Sequence, residues 1–187
     1  GLYQAPFTDD SDGWKLVTLP WEAFMYREGA SGTPTLSLTA VTAYFIQFSD
    51  NGGDTSFTGT FAIDQMRVFD TVATDVYGFE DGMPDGYFAD PGANIAADVV
   101  TDTTLTQFGV DSNHVLEVSV TAPRAWAGLQ GFNLSSGQDW SGSAGVSFWF
   151  KGTNSGQTFL YVITQDAGAG LYQAPFTDDS DGWKLVT

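Results

Sequence analysis

Residues 1–18 and residues 170–187 are the same eighteen amino acids, GLYQAPFTDDSDGWKLVT. The repeat period is therefore 169 residues in a chain of 187. Chance does not produce such identity, and an internal repeat constrains the architecture before any local pattern does. An artificial duplication, an arbitrary window on a longer chain and a tandem array of near-identical modules all give this pattern. In each case the natural module does not start at Gly1. The absence of an initiator Met and of a signal peptide fits a fragment or a mature segment. The polar, turn-like stretch Asp70-Thr71-Val72-Ala73-Thr74-Asp75 separates two strand-like runs and is the best linker. Read cyclically, one unit runs from about Val76 to Ala169 and continues through residues 1–69. Residues 1–69 are then the C-terminal half of one β-sandwich module, 70–75 its linker, and 76–187 the N-terminal half of the next. One sandwich follows from the two halves by permutation or by strand swapping between chains.

Between the twin ends the pattern is that of strands. Residues 114–120 (HVLEVSV) put Val115, Glu117 and Ser119 on one face and Leu116, Val118 and Val120 on the other. Residues 14–19, 41–49, 59–69, 126–132, 145–150 and 158–165 read the same way. Clusters of Gly, Asp, Asn and Ser separate them, as in residues 50–54 and 152–156. Only residues 21–26 and 36–42 suggest a helix, for about one turn each. Asp outnumbers Glu 19 to 4, and Asp suits turns whereas Glu suits helices. These features predict an all-β sandwich of two antiparallel sheets.

Composition excludes several functions. Hydrophobic residues at 42% and aromatics at 15% are too many for a disordered chain. A formal charge of -17 repels nucleic acid and anionic membrane surfaces. No apolar run approaches the roughly 20 residues of a membrane span. With no cysteine there is no disulfide, thiolate metal site or thiol nucleophile. The same acidity supplies oxygen ligands for hard cations and suits an extracellular or cell-surface setting.

The order of segments carries a resemblance. In cyclic order the unit reads Tyr77-Gly78-Phe79-Glu80-Asp81-Gly82, then His114-Val115-Leu116-Glu117-Val118. Gly145-Val146-Ser147-Phe148-Trp149-Phe150-Lys151-Gly152 follows, then Phe159-Leu160-Tyr161-Val162. Gly13-Trp14-Lys15-Leu16-Val17 through Phe24, and Phe61-Ala62-Ile63-Asp64-Gln65-Met66-Arg67-Val68, close it. This order resembles the galactose-binding-domain-like jelly roll, especially the family-11 carbohydrate-binding modules, over nearly the whole unit. The departure is the starting point, which lies in the middle of the module.

The resemblance implies a structural calcium between the opening acid and the closing Asp, here Glu80 and Asp64. Calcium takes six to eight oxygens, so Asp81 and loop carbonyls near residues 90–94 would have to help. Both acids sit in strand-like segments among apolar residues, where a lone carboxylate is costly. The alternative is that they cap turns or bind Arg67. The resemblance also implies sugar binding, with aromatic rings on sugar faces and polar groups on hydroxyls. The candidate rings are Trp126, Tyr161, Tyr3 and Tyr44, and the polar partners are Gln47, Gln165, Asp166 and Arg124. Most rings in such a chain belong to the core, and Trp149 and Trp14 sit in the most regular strands.

Nothing points to an enzyme. His114, the one histidine, has no nucleophile motif near it, and no spacing singles out a carboxylate pair. Two roles compete: carbohydrate binding to a polysaccharide or surface glycan, and a structural repeat of an adhesin, stalk or filament. The twin ends bear on the second. One sandwich has one slot for the Trp-Lys-Leu-Val-Thr strand, expected beside the 148–150 strand and the 41–48 strand or their neighbours. Two copies compete for it, and the loser leaves a sticky edge. Head-to-tail association through donated or swapped strands is the expected outcome.

Overall fold

The computed structural model describes residues 16–17, 19–28, 36–47, 58–70, 74–90, 94–104, 113–121, 128–165, 170–178 and 181–186. Among the described residues there are fourteen strands, two 3₁₀ turns and no α-helix. In chain order the strands are β1 (Leu16–Val17), β2 (Leu19–Pro20), β3 (Met25–Glu28), β4 (Val41–Gln47), β5 (Gly59–Phe69), β6 (Thr74–Tyr77) and β7 (Tyr87–Ala89). β8 (Ile95–Thr101), β9 (His114–Val120), β10 (Leu129–Gln138), β11 (Gly145–Thr153), β12 (Thr158–Gln165), β13 (Gly170–Thr177) and β14 (Asp181–Val186) complete them. One sheet has the order β1-β14-β11-β5-β9-β8, with β2 also on β11 and β6 also on β5. The other has the order β3-β13-β12-β4-β10-β7. Apart from the parallel β1–β14 pair, the pairings are antiparallel, so the expected two-sheet sandwich is the observed one.

Alternation explains how the sheets face each other. Phe148 and Phe150 on β11, Phe61 and Ile63 on β5, and Leu116 and Val118 on β9 point into one core. Phe159, Tyr161 and Ile163 on β12 and Tyr172, Ala174 and Phe176 on β13 meet them from the second sheet. The rings interlock: Phe150 lies 5.2 Å from both Phe159 and Phe176, and Phe148 lies 5.4 Å from Tyr161. Burying each such ring contributes roughly 1.5–3 kcal/mol, which is what holds the two sheets together.

Several expectations are corrected. Residues 21–26 are not a helix; Trp21–Ala23 is a single 3₁₀ turn after Pro20, and β3 begins at Met25. Residues 36–42 are irregular up to a turn at Thr39-Ala40, then strand from Val41. The strand expected at 126–132 is longer and later, Leu129–Gln138. The linker is partly strand, because β6 starts at Thr74 and pairs back on β5, Arg67 opposite Asp75. Glu80 is not in a strand but in the 3₁₀ turn Phe79–Asp81, which ends at Gly82 with φ 95°.

The twin ends share one region of the first sheet. β14, from the C-terminal copy, runs antiparallel to β11, from Asp181 opposite Thr153 to Val186 opposite Phe148. β2 continues beside the same strand, with Leu19 opposite Val146 and Pro20 opposite Gly145. β14 and β2 therefore share one lane in one register, with only the position opposite Ser147 between them. β1, from the N-terminal copy, lies parallel on the far side of β14, with Leu16 beside Leu185 and Val17 beside Val186. The slot is thus flanked by β11 and β1. The expected flank at residues 41–48 belongs to the opposite sheet.

Candidate functional site

The second sheet has a face turned away from the core, and one row of residues crosses all six of its strands. Met25 is opposite Gln173, Gln173 opposite Val162, Val162 opposite Phe45, Phe45 opposite Gly131, and Gly131 opposite Phe88. Val162 and Phe45 are buried yet lie outside the core cluster, as their alternation with Tyr161, Ile163, Tyr44 and Ile46 requires. The row is buried at its centre and half-buried at its ends, Met25 and Phe88. Gly131 lets the backbones close up there, since a Cβ would overlap Tyr44 and Phe45. Phe88 meets Phe45 edge-on at 6.2 Å. A second row runs Pro175, Leu160, Gln47, Leu129.

Two amides lie in this apolar face. Gln47 is 1% exposed and Gln173 6% exposed. The Gln173 Oε1 has no hydrogen-bond partner among the described residues. A buried acceptor left unpaired costs roughly 1–3 kcal/mol. An amide offers a donor and an acceptor side by side, which is what vicinal hydroxyls demand.

The expected sugar-binding residues divide into three groups. Gln47 lies in this face. Gln165 ends β12 and spends its Oε1 on the Ser37 N–H at 2.7 Å, a structural tie. Tyr44 and Tyr161 are core residues, stacked on each other at 5.8 Å, with phenols that burial pushes well above their ordinary range. Their rings are not presented to a ligand, because period 2 turns them inward. Tyr3, Arg124, Trp126 and Asp166 lie outside the described residues. Tyr172, the twin of Tyr3, packs inside against Tyr26 at 5.6 Å. Gln173, Phe45 and Phe88 were missed, although the alternation around Tyr172 places Gln173 on the opposite face.

The metal candidates sit at the other sheet. Asp64 is 1% exposed on β5, facing away from the core opposite Trp149. Its Oδ1 accepts the N–H of Gln65 at 2.7 Å, at a bulge where Gln65 has φ 48°. The turn carrying Glu80 packs on β9, the strand beside β5. Glu80 Oε1 accepts the N–H groups of Asn113 at 2.8 Å and His114 at 3.1 Å, and Oε2 meets His114 Nδ1 at 3.2 Å. Asp81 is exposed. Among the described residues no three His, Asp or Glu side chains converge as a ready-made cluster. The residues therefore fit calcium only with backbone carbonyls completing the shell.

A separate cleft of about 490 Å³ opens where β6 meets the segment after β10. Val68, Val76 and Trp140 form its apolar walls, and Asp70, Asp75, Asp139 and Gln138 its polar ones. Gln138 and Asp139 are engaged: Trp140 Nε1 donates to Gln138 at 2.9 Å, and Ser141 donates to Asp139, holding that carboxyl below the usual range. None of the expected site residues lines it.

Residues 72–187, more than half of the chain, match the family model of a carbohydrate binding domain, family 11. No curated protein and no solved structure matches the chain.

Proposed function

The chain belongs to the family-11 carbohydrate binding domains, and we propose that it holds its glycan on the outer face of the six-stranded sheet. It is a carbohydrate-binding module and not an enzyme. The observation that carries the location is the buried, unpaired Gln173 Oε1 in an apolar face that also holds Gln47. A sugar hydroxyl that displaces the cover over that oxygen and donates to it removes its desolvation penalty. Met25, Leu160, Leu129 and Phe88 supply apolar surface for the C–H faces of the rings. The ligand class is a polysaccharide or surface glycan, met outside the cell. The reading is tested on a glycan array with the unmodified protein and with Gln47→Ala and Gln173→Ala. Loss of binding in both variants supports the face. Retained binding in both, with loss in Asp139→Ala, moves the site to the cleft.

A calcium ion beside Asp64 and Glu80 belongs to the same reading. Asp64 supports it as a carboxylate withdrawn from water on a strand. Such an ion supplies positive charge that stabilises the fold and takes no part in chemistry.

A second reading, a structural repeat of a surface adhesin, stalk or filament, is favoured by one observation. Each described residue of the N-terminal copy lies beside its own twin in the C-terminal copy. Higher-mass assemblies of the unmodified protein in light scattering would support it; a monomer at every concentration would overturn it.

A further inference from the structure

We infer that the lane beside β11 is a docking slot for residues 12–17 of a second copy of this chain. The inference rests on the structural-repeat reading and deepens it by naming the slot and the segment that enters it.

The slot is already filled by a segment that is not continuous with the remainder of its strand. β14 ends with Val186 opposite Phe148, and the lane resumes with Leu19 opposite Val146. From Val186 to Leu19 is two residue steps, about 7 Å of extended chain. In the sequence the two segments are far apart, one ending at 186 and the other beginning at 19. β11 therefore pairs with the Asp-Gly-Trp-Lys-Leu-Val strand along its main-chain ladder, without covalent continuity into Leu19.

The chain carries that strand twice, as residues 12–17 and 181–186. The described end of the first copy, Leu16–Val17, runs parallel to β14 and in register with it. Because β14 is antiparallel to β11, β1 already runs in the slot's direction, one strand spacing of about 4.8 Å outside it. Identical sequences have identical intrinsic preference for the slot, and only the tether differs. Exchange between molecules thus keeps the main-chain ladder to β11, and the donor's own Leu19-Pro20, two residues after Val17, takes the place of the host's β2 in the same register. A molecule whose slot takes a neighbour's residues 12–17 frees its own residues 181–186, an identical donor for the next. Donor and slot are different surfaces, so the contact is heterologous and propagates head to tail rather than closing on itself.

The test uses full-length chains, which have no native cysteine. Thr153 stands opposite Asp181, and Asp12 is the twin of Asp181. Asp12→Cys and Thr153→Cys chains are unfolded, mixed, refolded together and joined by oxidation or a short thiol-reactive linker. The expected product is a heterodimer bridged between positions 12 and 153, with a yield that rises with protein concentration. Replacing Asp12→Cys by Val17→Cys shifts the thiol along the lane and should abolish the bridge. A single chain with both Thr153→Cys and Asp181→Cys should bridge internally and shows that the slot folds. An internal 153–181 bridge with no 12–153 heterodimer overturns the inference. A 12–153 heterodimer from a protein that otherwise stays monomeric supports the slot and removes the filament reading. Assemblies that form without the 12–153 bridge overturn the slot and leave the filament reading standing.

Discussion

The Asp178 carboxylate accepts a 2.6 Å hydrogen bond from the Ser155 hydroxyl, joining the segment after β13 to the turn between β11 and β12. The same carboxylate takes the N–H groups of Thr153, Asn154 and Ser155, and Gly152 leaves room for it. Asp178→Ala orphans these donors and should cost about 2–4 kcal/mol. Asp178→Asn keeps acceptors and should cost less. Chemical denaturation reads both, and equal midpoints for all three proteins would refute the role.

The interlocked rings set a second expectation. Phe148 is fully buried between Tyr161 and Phe176. Phe148→Ala should lose about 3–5 kcal/mol, and a loss below about 1 kcal/mol would mean the core can collapse around the gap.

Acid should weaken the fold through Asp102. Burial pushes its carboxyl up, but hydrogen bonds from Lys151 at 2.7 Å and from Thr104 outweigh this and hold it below the usual carboxylate range. The contribution is therefore fully present above the ordinary carboxylate value of about 3.9 and is lost as pH falls through the lower folded value. Asp102→Asn should flatten that acid limb and cost about 1 kcal/mol at pH 7, a figure kept small because Lys151 is 41% exposed. Stability measured across pH 2–7 would show no difference if the pair were idle.

For the binding face, Gln173→Ala should weaken glycan affinity roughly tenfold, the value of one neutral hydrogen bond. It should change stability by less than about 1 kcal/mol, because it also deletes an unpaired buried acceptor. A large stability loss with unchanged affinity would make Gln173 a structural residue.

Calcium at hundredfold excess over its dissociation constant should add about 2.7 kcal/mol. Chelator should lower Tm in the unmodified protein and leave an Asp64→Asn variant unmoved. Equal melts with and without chelator in the unmodified protein would sink the calcium reading.

Much was legible in the sequence because strand alternation is local. The alternation of β9, with Leu116, Val118 and Val120 together on one face, is the one observed. The segment order likewise indicated the family to which the chain belongs. Glu80 misled because Phe79-Glu80-Asp81 looks like a strand until the flanking Gly82, with its positive φ, turns the backbone into a 3₁₀ turn. Tyr44 and Tyr161 misled because a tyrosine reads equally well as a core ring or a sugar platform.

By itself, the sequence determined the all-β class, the antiparallel pairing and the existence of two identical claimants for one strand. These follow from residue type, period and identity, which need no knowledge of distant neighbours. Only the tertiary structure decided which face of each strand is core, and so turned Tyr44 inward and Gln47 outward. It also decided that residues 181–186 take the lane beside β11 while Leu16–Val17 stands outside them. Two segments of identical chemistry carry identical local preferences, so the choice rests on the tethers and on the chain's path between the sheets, which no local pattern encodes.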